Sequence, residues 1–314
     1  MRNLDPLALE CLVALAEEGS FQRAARRLSI TQSAVSQRLW SLESNVGTVL
    51  IVRSRPVRAT PAGQVLLRHA KHLTVKQADL IRELRDLGPT FTRTPREDQQ
   101  ISVAFDPDSV ATWGLAALDA FSRDGLATEI IVDHPEQTHE RLREGDVLGC
   151  VTTVDQAPYG CKAVALGRMH YMAVAGKDFA ARNCPHGLTP QNFRSLKFIA
   201  HSRGSDVQVE FVSKALGLKD ILLNQHFVPT PDGQLRAVLA GWGVSVLPKM
   251  LVEAMVRDGE LVDIAPGVAH GVDLHWHSCN FQSEVIALLD AAVNAGAREL
   301  QASGVPEEDA RAVA

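Results

Sequence analysis

The sequence predicts a multidomain α/β protein with an N-terminal winged helix-turn-helix, a long linker helix and a two-lobed α/β body. Three observations carry this prediction. Residues 20–47 read as two short helices joined by a tight turn. Residues 66–87 carry a heptad seam. From residue 101 onward, short β-type runs are separated by helical ones, the pattern of a mostly parallel sheet.

The first helix of the 20–47 pair starts at Ser20, whose hydroxyl can accept an orphan backbone N–H. Phe21, Ala24, Ala25 and Leu28 give it one apolar face. Ser29-Ile30 forms the turn. Thr31 caps the second helix, whose buried stripe is Val35, Leu39, Leu42 and Val46, and Gly47 ends it. Gln32, Ser33, Ser36 and Gln37 lie on its outer N-terminal side, with Arg38 alongside. An α-helix fits the DNA major groove, where amides read adenine and guanidinium reads guanine. Ser20 and Thr31, at the helix starts, join this predicted DNA-facing set. The alternative is an ordinary amphipathic pair with a solvated face.

Charge is distributed to match. The chain of 314 residues has net charge −5. Residues 1–85 hold 13 Lys+Arg and 7 Asp+Glu, or +6, and the remainder holds 19 and 30, or −11. A basic module on an acidic body is the footprint of a DNA-binding domain joined to something else. The hydrophobic share of 46% suits a substantial core, and no apolar run approaches a membrane span of ~20 residues. The start MRNLDPLALECL lacks signal-peptide features, so a cytoplasmic protein is expected. Five scattered cysteines without Cys-x-x-Cys argue against a disulfide framework or zinc ribbon, and dispersed buried thiols are expected, with a redox pair as the alternative.

In chain order, Leu4, Leu7, Ala8, Cys11, Leu12 and Leu15 predict a helix over 4–18 that packs behind the helix-turn-helix. Residues 48–60 predict a two-stranded wing carrying Arg53, Arg55 and Arg58, for phosphate or minor-groove contact or else simply solvated. The winged domain then spans 1–60. Thr60 and Pro61 start a helix over 61–87, where Leu66, Ala70, Leu73, Gln77, Leu80, Leu84 and Leu87 form the seam. A small winged domain cannot bury such a seam alone, so a homodimer is predicted, with packing on the same chain as the alternative. Residues 88–100 read as a hinge. Lobe I is predicted at 101–162 and 268–300, lobe II at 163–267, and a frayed tail at 301–314. Predicted strands are 101–105, 128–133, 147–151, 169–175, 197–200, 223–228, 243–247 and 272–277, with helices over 109–123, 138–146 and 281–300.

With these parts the chain resembles the LysR-type transcriptional regulators over almost its whole length, and within them the ArgP (LysG) branch, which responds to basic amino acids. The resemblance rests on ITQSAVSQRLWSLE (30–43), VLIVRSRPVRATPAGQVLL (49–67), DPDSVATW (106–113), HERLREGDVLGCV (139–151) and LHWH (274–277). It implies an effector domain like periplasmic binding proteins, a homotetramer built as a dimer of dimers, and contact with RNA polymerase. It assigns base reading to Gln32, Ser33, Ser36 and Arg38, with the wing at Arg53 and Arg55. Trp40 departs from the lysine usual there. In the cleft, Ser109 and nearby N–H groups are expected to hold an effector carboxylate. Asp106, Asp108, Asp133 and Glu136 are expected to hold an ammonium or guanidinium, with Thr230 and Asp232 from the second lobe. Departures at 106–109, 133–135 and 230–234 leave both lysine or arginine and another amino-acid-like ligand open.

An enzyme lacks support, since no phosphate loop, dinucleotide fingerprint or His-Glu-x-x-His is present. His275, His277 and Cys279 would share a strand face and offer a metal site, but a fourth ligand is missing, so neither metal nor cofactor is expected. A transporter's solute-binding protein would need a signal sequence and no basic N-terminal module.

Overall fold

The computed structural model describes residues 4–86, 100–123, 127–298 and 300. The expected hinge apart from Gln100, Leu87 of the seam and the tail therefore lie outside the described residues.

The N-terminal domain is built from α1 (Pro6–Glu18), α2 (Phe21–Arg27), α3 (Gln32–Val46), β1 (Ile51–Val52) and β2 (Arg58–Ala59). Asp5 caps α1 by accepting the Leu7 N–H at 3.1 Å. Gly19 ends it at φ 61, in the left-handed region that glycine adopts without a Cβ penalty. Leu12, Leu15, Ala24, Val35, Leu39, Leu42 and Leu50 are buried together. The small Ala24 and Ala25 allow α2 close to its neighbours. Two expectations need correction. Leu7 is 48% exposed, and Leu9 and Ala14 fill the core instead. Ser20 occupies the N-cap of α2, but its side chain makes no capping bond. The wing is antiparallel, with Ile51 opposite Ala59 and Val52 opposite Arg58.

The linker helix α4 (Pro61–Asp86) starts where Thr60 Oγ1 accepts the Gly63 N–H at 3.1 Å. Its seam divides. Leu66 and Ala70 are buried in the winged-domain core, so the first half packs on its own chain rather than on a partner. Leu73, Gln77 and Leu80 are exposed, and Val65 extends this outer stripe. Val75, on the opposite side, joins the core of the α/β body.

The body contains β3 (Gln100–Phe105), α5 (Pro107–Ser109), a π-helical turn (Val110–Gly114), α6 (Leu115–Arg123), β4 (Ala127–Val132), α7 (Pro135–Glu144), β5 (Gly149–Thr152) and β6 (Cys161–Gly176). It continues with α8 (Lys177–Asn183), β7 (Lys197–Ala200), α9 (Val207–Leu216), β8 (Asn224–Phe227), α10 (Pro231–Leu239) and β9 (Val244–Pro248). It closes with α11 (Lys249–Arg257), β10 (Leu261–Asp263), β11 (His270–Cys279) and α12 (Glu284–Gly296). One sheet runs through both lobes in the order β4-β3-β5-β11-β6-β9-β7-β8, with β10 added to β6. It is mixed rather than mostly parallel. β3 pairs in parallel with β4 and β5, and β7 with β8 and β9. β5–β11, β6–β11, β6–β9 and β6–β10 are antiparallel. The reason is topological: β6 leaves the first lobe and β11 returns to it, so the two run in opposite directions. β6 also begins eight residues before the predicted 169, because its early residues pair with the end of β11.

The linker helix is fastened to the body by a buried carboxylate. Asp79 Oδ1 accepts the Val285 N–H and the Ser283 hydroxyl, each at 3.0 Å, at the start of α12. Lys71 Nζ lies 3.7 Å from Asp146 and 4.0 Å from Glu17, joining body and α1 through α4. Replacing Asp79 by Ala strips α12 of these bonds. A loss of about 1.5–3 kcal/mol is expected, the usual cost for hydrogen bonds to a charged group, read as a lower urea midpoint for the body. An unchanged midpoint would mean that water serves the α12 start equally well.

Candidate nucleic-acid interface and ligand cleft

On α3, Gln32, Ser33 and Gln37 are exposed and Ser36 is half-buried. Spacings of three and four residues place 33, 36, 37 and 40 on one ridge. Trp40 is 67% exposed on that ridge, one turn beyond Ser36 and Gln37. Thr31 is committed to structure: its Oγ1 accepts the Ala34 N–H at 3.2 Å and lies 2.9 Å from Ser33 Oγ. Arg38 sits on the flank, half-buried, with Nη1 4.0 Å from Cys11 Sγ on α1. Arg53 lies over the Phe21 ring at 5.6 Å, and Arg55 is exposed in the wing. Arg23 and Arg27 are turned back onto Glu17 and Glu18 of α1, so much of the basic charge in α2 is already paired.

The cleft residues sit where β3, β4, β7 and β8 end. Asp106 is buried at the start of α5, and its Oδ1 accepts the Ser109 N–H at 2.9 Å. The carboxylate thus occupies the Ser109 N–H, one of the groups expected to hold an effector carboxylate. Asp106 Oδ2 and Ser109 Oγ are buried without a hydrogen-bond partner among the described residues. Asp108 accepts a 2.8 Å hydrogen bond from the Tyr171 hydroxyl of β6. Burial and the neighbouring Asp106 charge push the Asp108 carboxyl up to about 7, against the Tyr171 hydrogen bond. Burial likewise raises Asp106, offset by hydrogen bonding at Ser109. Neither carboxylate has an ion-pair partner among the described residues.

Asp133 is differently placed. Its Oδ2 accepts Arg141 Nε at 3.1 Å and Nη2 at 3.0 Å, and its Oδ1 accepts the His134 N–H at 3.1 Å. An ammonium would have to displace this ion pair, so Asp133 does not stand as a free counter-charge. Glu136 falls on α7 with its side chain outside what is described. Thr230 Oγ1 accepts the Gly233 N–H at 3.1 Å, a cap for α10, and Asp232 is exposed in the first turn. Neither contacts the 106–109 turn by any hydrogen bond or ion pair among the described residues. Sequence reasoning missed His134, His201, Ser202 and Tyr171. His134 Nε2 lies 3.3 Å from Ser202 Oγ, and its ring meets His201 edge-on at 4.8 Å, so it bridges the lobes. These four residues carry no local pattern, and only the fold brings them to the cleft.

The histidines of β11 do not converge on a metal. His277 is fully buried, meets His139 at 5.5 Å, and is held down to about 4 by burial and then by His139 and His275. Among the described residues, no group of three His, Cys, Asp or Glu side chains is placed to hold a metal ion.

Residues 7–64 match the bacterial regulatory helix-turn-helix family lysR, and residues 95–295 match the LysR substrate binding domain. The chain belongs to the LysR family of bacterial regulators. This LysR-type protein is 35% identical over 298 residues to the transcriptional regulator LysG of Mycobacterium tuberculosis, covering 95% of each chain. The crystal structure of ArgP from Mycobacterium tuberculosis superposes with TM-score 0.77 at 35% identity, covering 95% of this chain and 99% of that one. Full-length LysG of Corynebacterium glutamicum with bound effector Arg gives TM-score 0.69 at 27% identity, covering 94% and 98%. The LysR-type fold and the ArgP/LysG kinship read from the sequence both hold.

The geometry of α3 ranks its polar residues. Gln32→Ala is expected to remove about 1–3 kcal/mol of operator-over-random DNA discrimination, the value of one direct base contact. Arg38→Ala should remove less, because its guanidinium leans on α1. Fluorescence anisotropy on both DNAs measures this, and a larger loss for Arg38→Ala would show that its side chain swings out on DNA.

Proposed function

We propose that this LysR-type regulator senses a basic amino acid in the cleft between its lobes and reads its operator with α3 and the wing. The observation that carries the ligand assignment is the pair Asp106 and Asp108. Two carboxylates, Asp106 buried and Asp108 half-buried, stand close together at the end of β3, without a cation beside them among the described residues. A guanidinium or ammonium supplies the missing charge, while a neutral ligand leaves the mutual repulsion in place. The arginine bound to the Corynebacterium glutamicum relative supports this reading. Ser109 supplies a buried hydroxyl to the same ligand, and Thr230 with Asp232 closes the site from the second lobe.

DNA-facing roles are proposed for Gln32, Ser33, Ser36, Gln37 and Trp40, with Ser20, Thr31, Arg38, Arg53 and Arg55 around them. The exposed stripe Val65, Leu73, Leu80 of α4 is proposed to bury against a second copy. A homodimer then presents two α3 helices to a two-fold operator, and two dimers make the tetramer that contacts RNA polymerase. No described helix is long and apolar enough to cross a membrane, and a cytoplasmic regulator without catalytic activity is proposed. Ligand acts by favouring one lobe arrangement over another, which requires unequal affinity for the two.

Calorimetric titration of the full chain with arginine, lysine and neutral amino acids tests the ligand. Because Asp108 must be ionised to pair with a cation, arginine binding should tighten about tenfold between pH 6 and pH 8, with proton release to buffer. A flat pH profile, or preference for a neutral amino acid, would remove the carboxylate pair from the ligand's side-chain site. Ser109→Ala should weaken the arginine response while leaving basal DNA affinity within twofold. An unaltered titration would take Ser109 out of the cleft.

A further inference from the structure

Cys161 opens β6 and Cys279 closes β11, and the two face each other across the antiparallel ladder. The Asn280 N–H bonds to the Gly160 carbonyl at 2.9 Å, which marks the adjacent Gly160/Asn280 pair as the hydrogen-bonded one. Consistently, the Cys279 N–H goes to Leu148 and the Cys161 N–H to Pro158. The cysteines therefore hold a non-hydrogen-bonded position, where Cα atoms stand ~4.5 Å apart and side chains approach most closely. That lies inside the ~4.4–6.8 Å range a disulfide spans. Both are free cysteines.

The surroundings differentiate the two thiols. Cys279 is buried, whereas Cys161 is partly exposed. Both line a cavity of about 510 Å³ between the linker helix and the body, walled by Arg68, His72 and His139. The exposed Tyr159 stands at its edge. The hydrogen bond from Cys279 and the Arg68 charge hold the Cys161 thiol below its ordinary value, against burial. Cys279 is raised as the proton-bearing partner of that hydrogen bond. The more exposed Cys161 is the thiol a solution reagent reaches first, with Cys279 behind it across the ladder. Cys150 lies on the adjacent strand opposite His277, but it is fully buried and its thiol is pushed up to about 12.

We propose that Cys161 and Cys279 are an oxidant-sensitive thiol pair whose co-reactant is a hydroperoxide. The Cys161 thiolate attacks the peroxide, the O–O bond breaks, and Cys161 becomes a sulfenic acid while the other oxygen leaves as hydroxide or alkoxide. The Cys279 sulfur then attacks Cys161, the S–S bond forms, the S–O bond breaks, and water departs. In sum two thiols lose two electrons and two protons, and one hydroperoxide is reduced to water and an alcohol, or to two waters. This site is separate from the cleft and does not rest on the identity of its ligand.

The test uses the full-length reduced protein treated with hydrogen peroxide, quenched by alkylation and mapped by mass spectrometry. The expected result is loss of two of the five alkylatable thiols, with Cys161 and Cys279 joined in one cross-linked peptide. C161S and C279S should each abolish the cross-link, and C279S should accumulate a sulfenic acid at Cys161 that a dione probe traps. C11S and C184S should oxidise like the wild type. The proposal is overturned if all five thiols stay alkylatable, if the bridge joins other cysteines, or if Cys161 passes to sulfonic acid without cross-linking. The mapping on wild-type protein decides these outcomes even if a variant fails to fold.

Discussion

The antiparallel ladder between β6 and β11 is the constraint on which the rest of the body depends. It runs from His270 opposite Tyr171 to Cys279 opposite Cys161, and it carries the chain between the lobes. Side chains alternate across a strand, so the register decides which residues face each side. At one end it points Tyr171 at Asp108, and at the other it sets two thiols face to face. A bulge between Leu274 and His275 shifts the register midway, as bulges do where a strand must bend. Between these ends Trp276 is fully buried, anchored by its Nε1 donating to Asp290 at 2.7 Å. Gly149 on β5 is required beside it, because a Cβ there would collide with the indole ring.

The linker helix is the second shared part. Its early residues complete the winged-domain core, while Val75, Asp79 and His72 engage the body. Lys71 reaches both α1 and the turn after α7. DNA-reading module and body are therefore joined by side-chain contacts as well as by chain connectivity. On the proposed mechanism, these are the contacts through which a change in lobe arrangement would reach α3. The apolar stripe facing away from them stays available for a second copy.

The N-terminal module was the most legible part, for local reasons. Short helices announce themselves through caps and periodicity, and Gly19, Thr31 and Gly47 all mark ends at which the helices stop or start. The alternation of strands and helices was equally plain in the body. The cleft was legible only in part. Asp106, Asp108 and Ser109 were visible as a strand end followed by a helix start, but their chemistry was not. Asp106 turns out to bond the Ser109 N–H, one of those expected to hold a ligand. Asp133 read as a free acid because its partner, Arg141, lies eight residues on, two turns into the following helix. Helical spacing gives Arg38 a direction, and only the structure shows its guanidinium beside Cys11 of α1 on that flank.

What the sequence determined alone is what short-range physics controls: helix limits, the wing, the basic module on an acidic body, and the order of strands along the chain. The tertiary structure decided everything that depends on partners distant in sequence. It made the sheet mixed and split the linker seam between own chain and surface. It brought His134 to Ser202 and His201, and Cys161 to Cys279. The physical reason is that periodicity specifies which face of an element is buried, while the identity of the neighbour on that face is set by how the chain closes on itself.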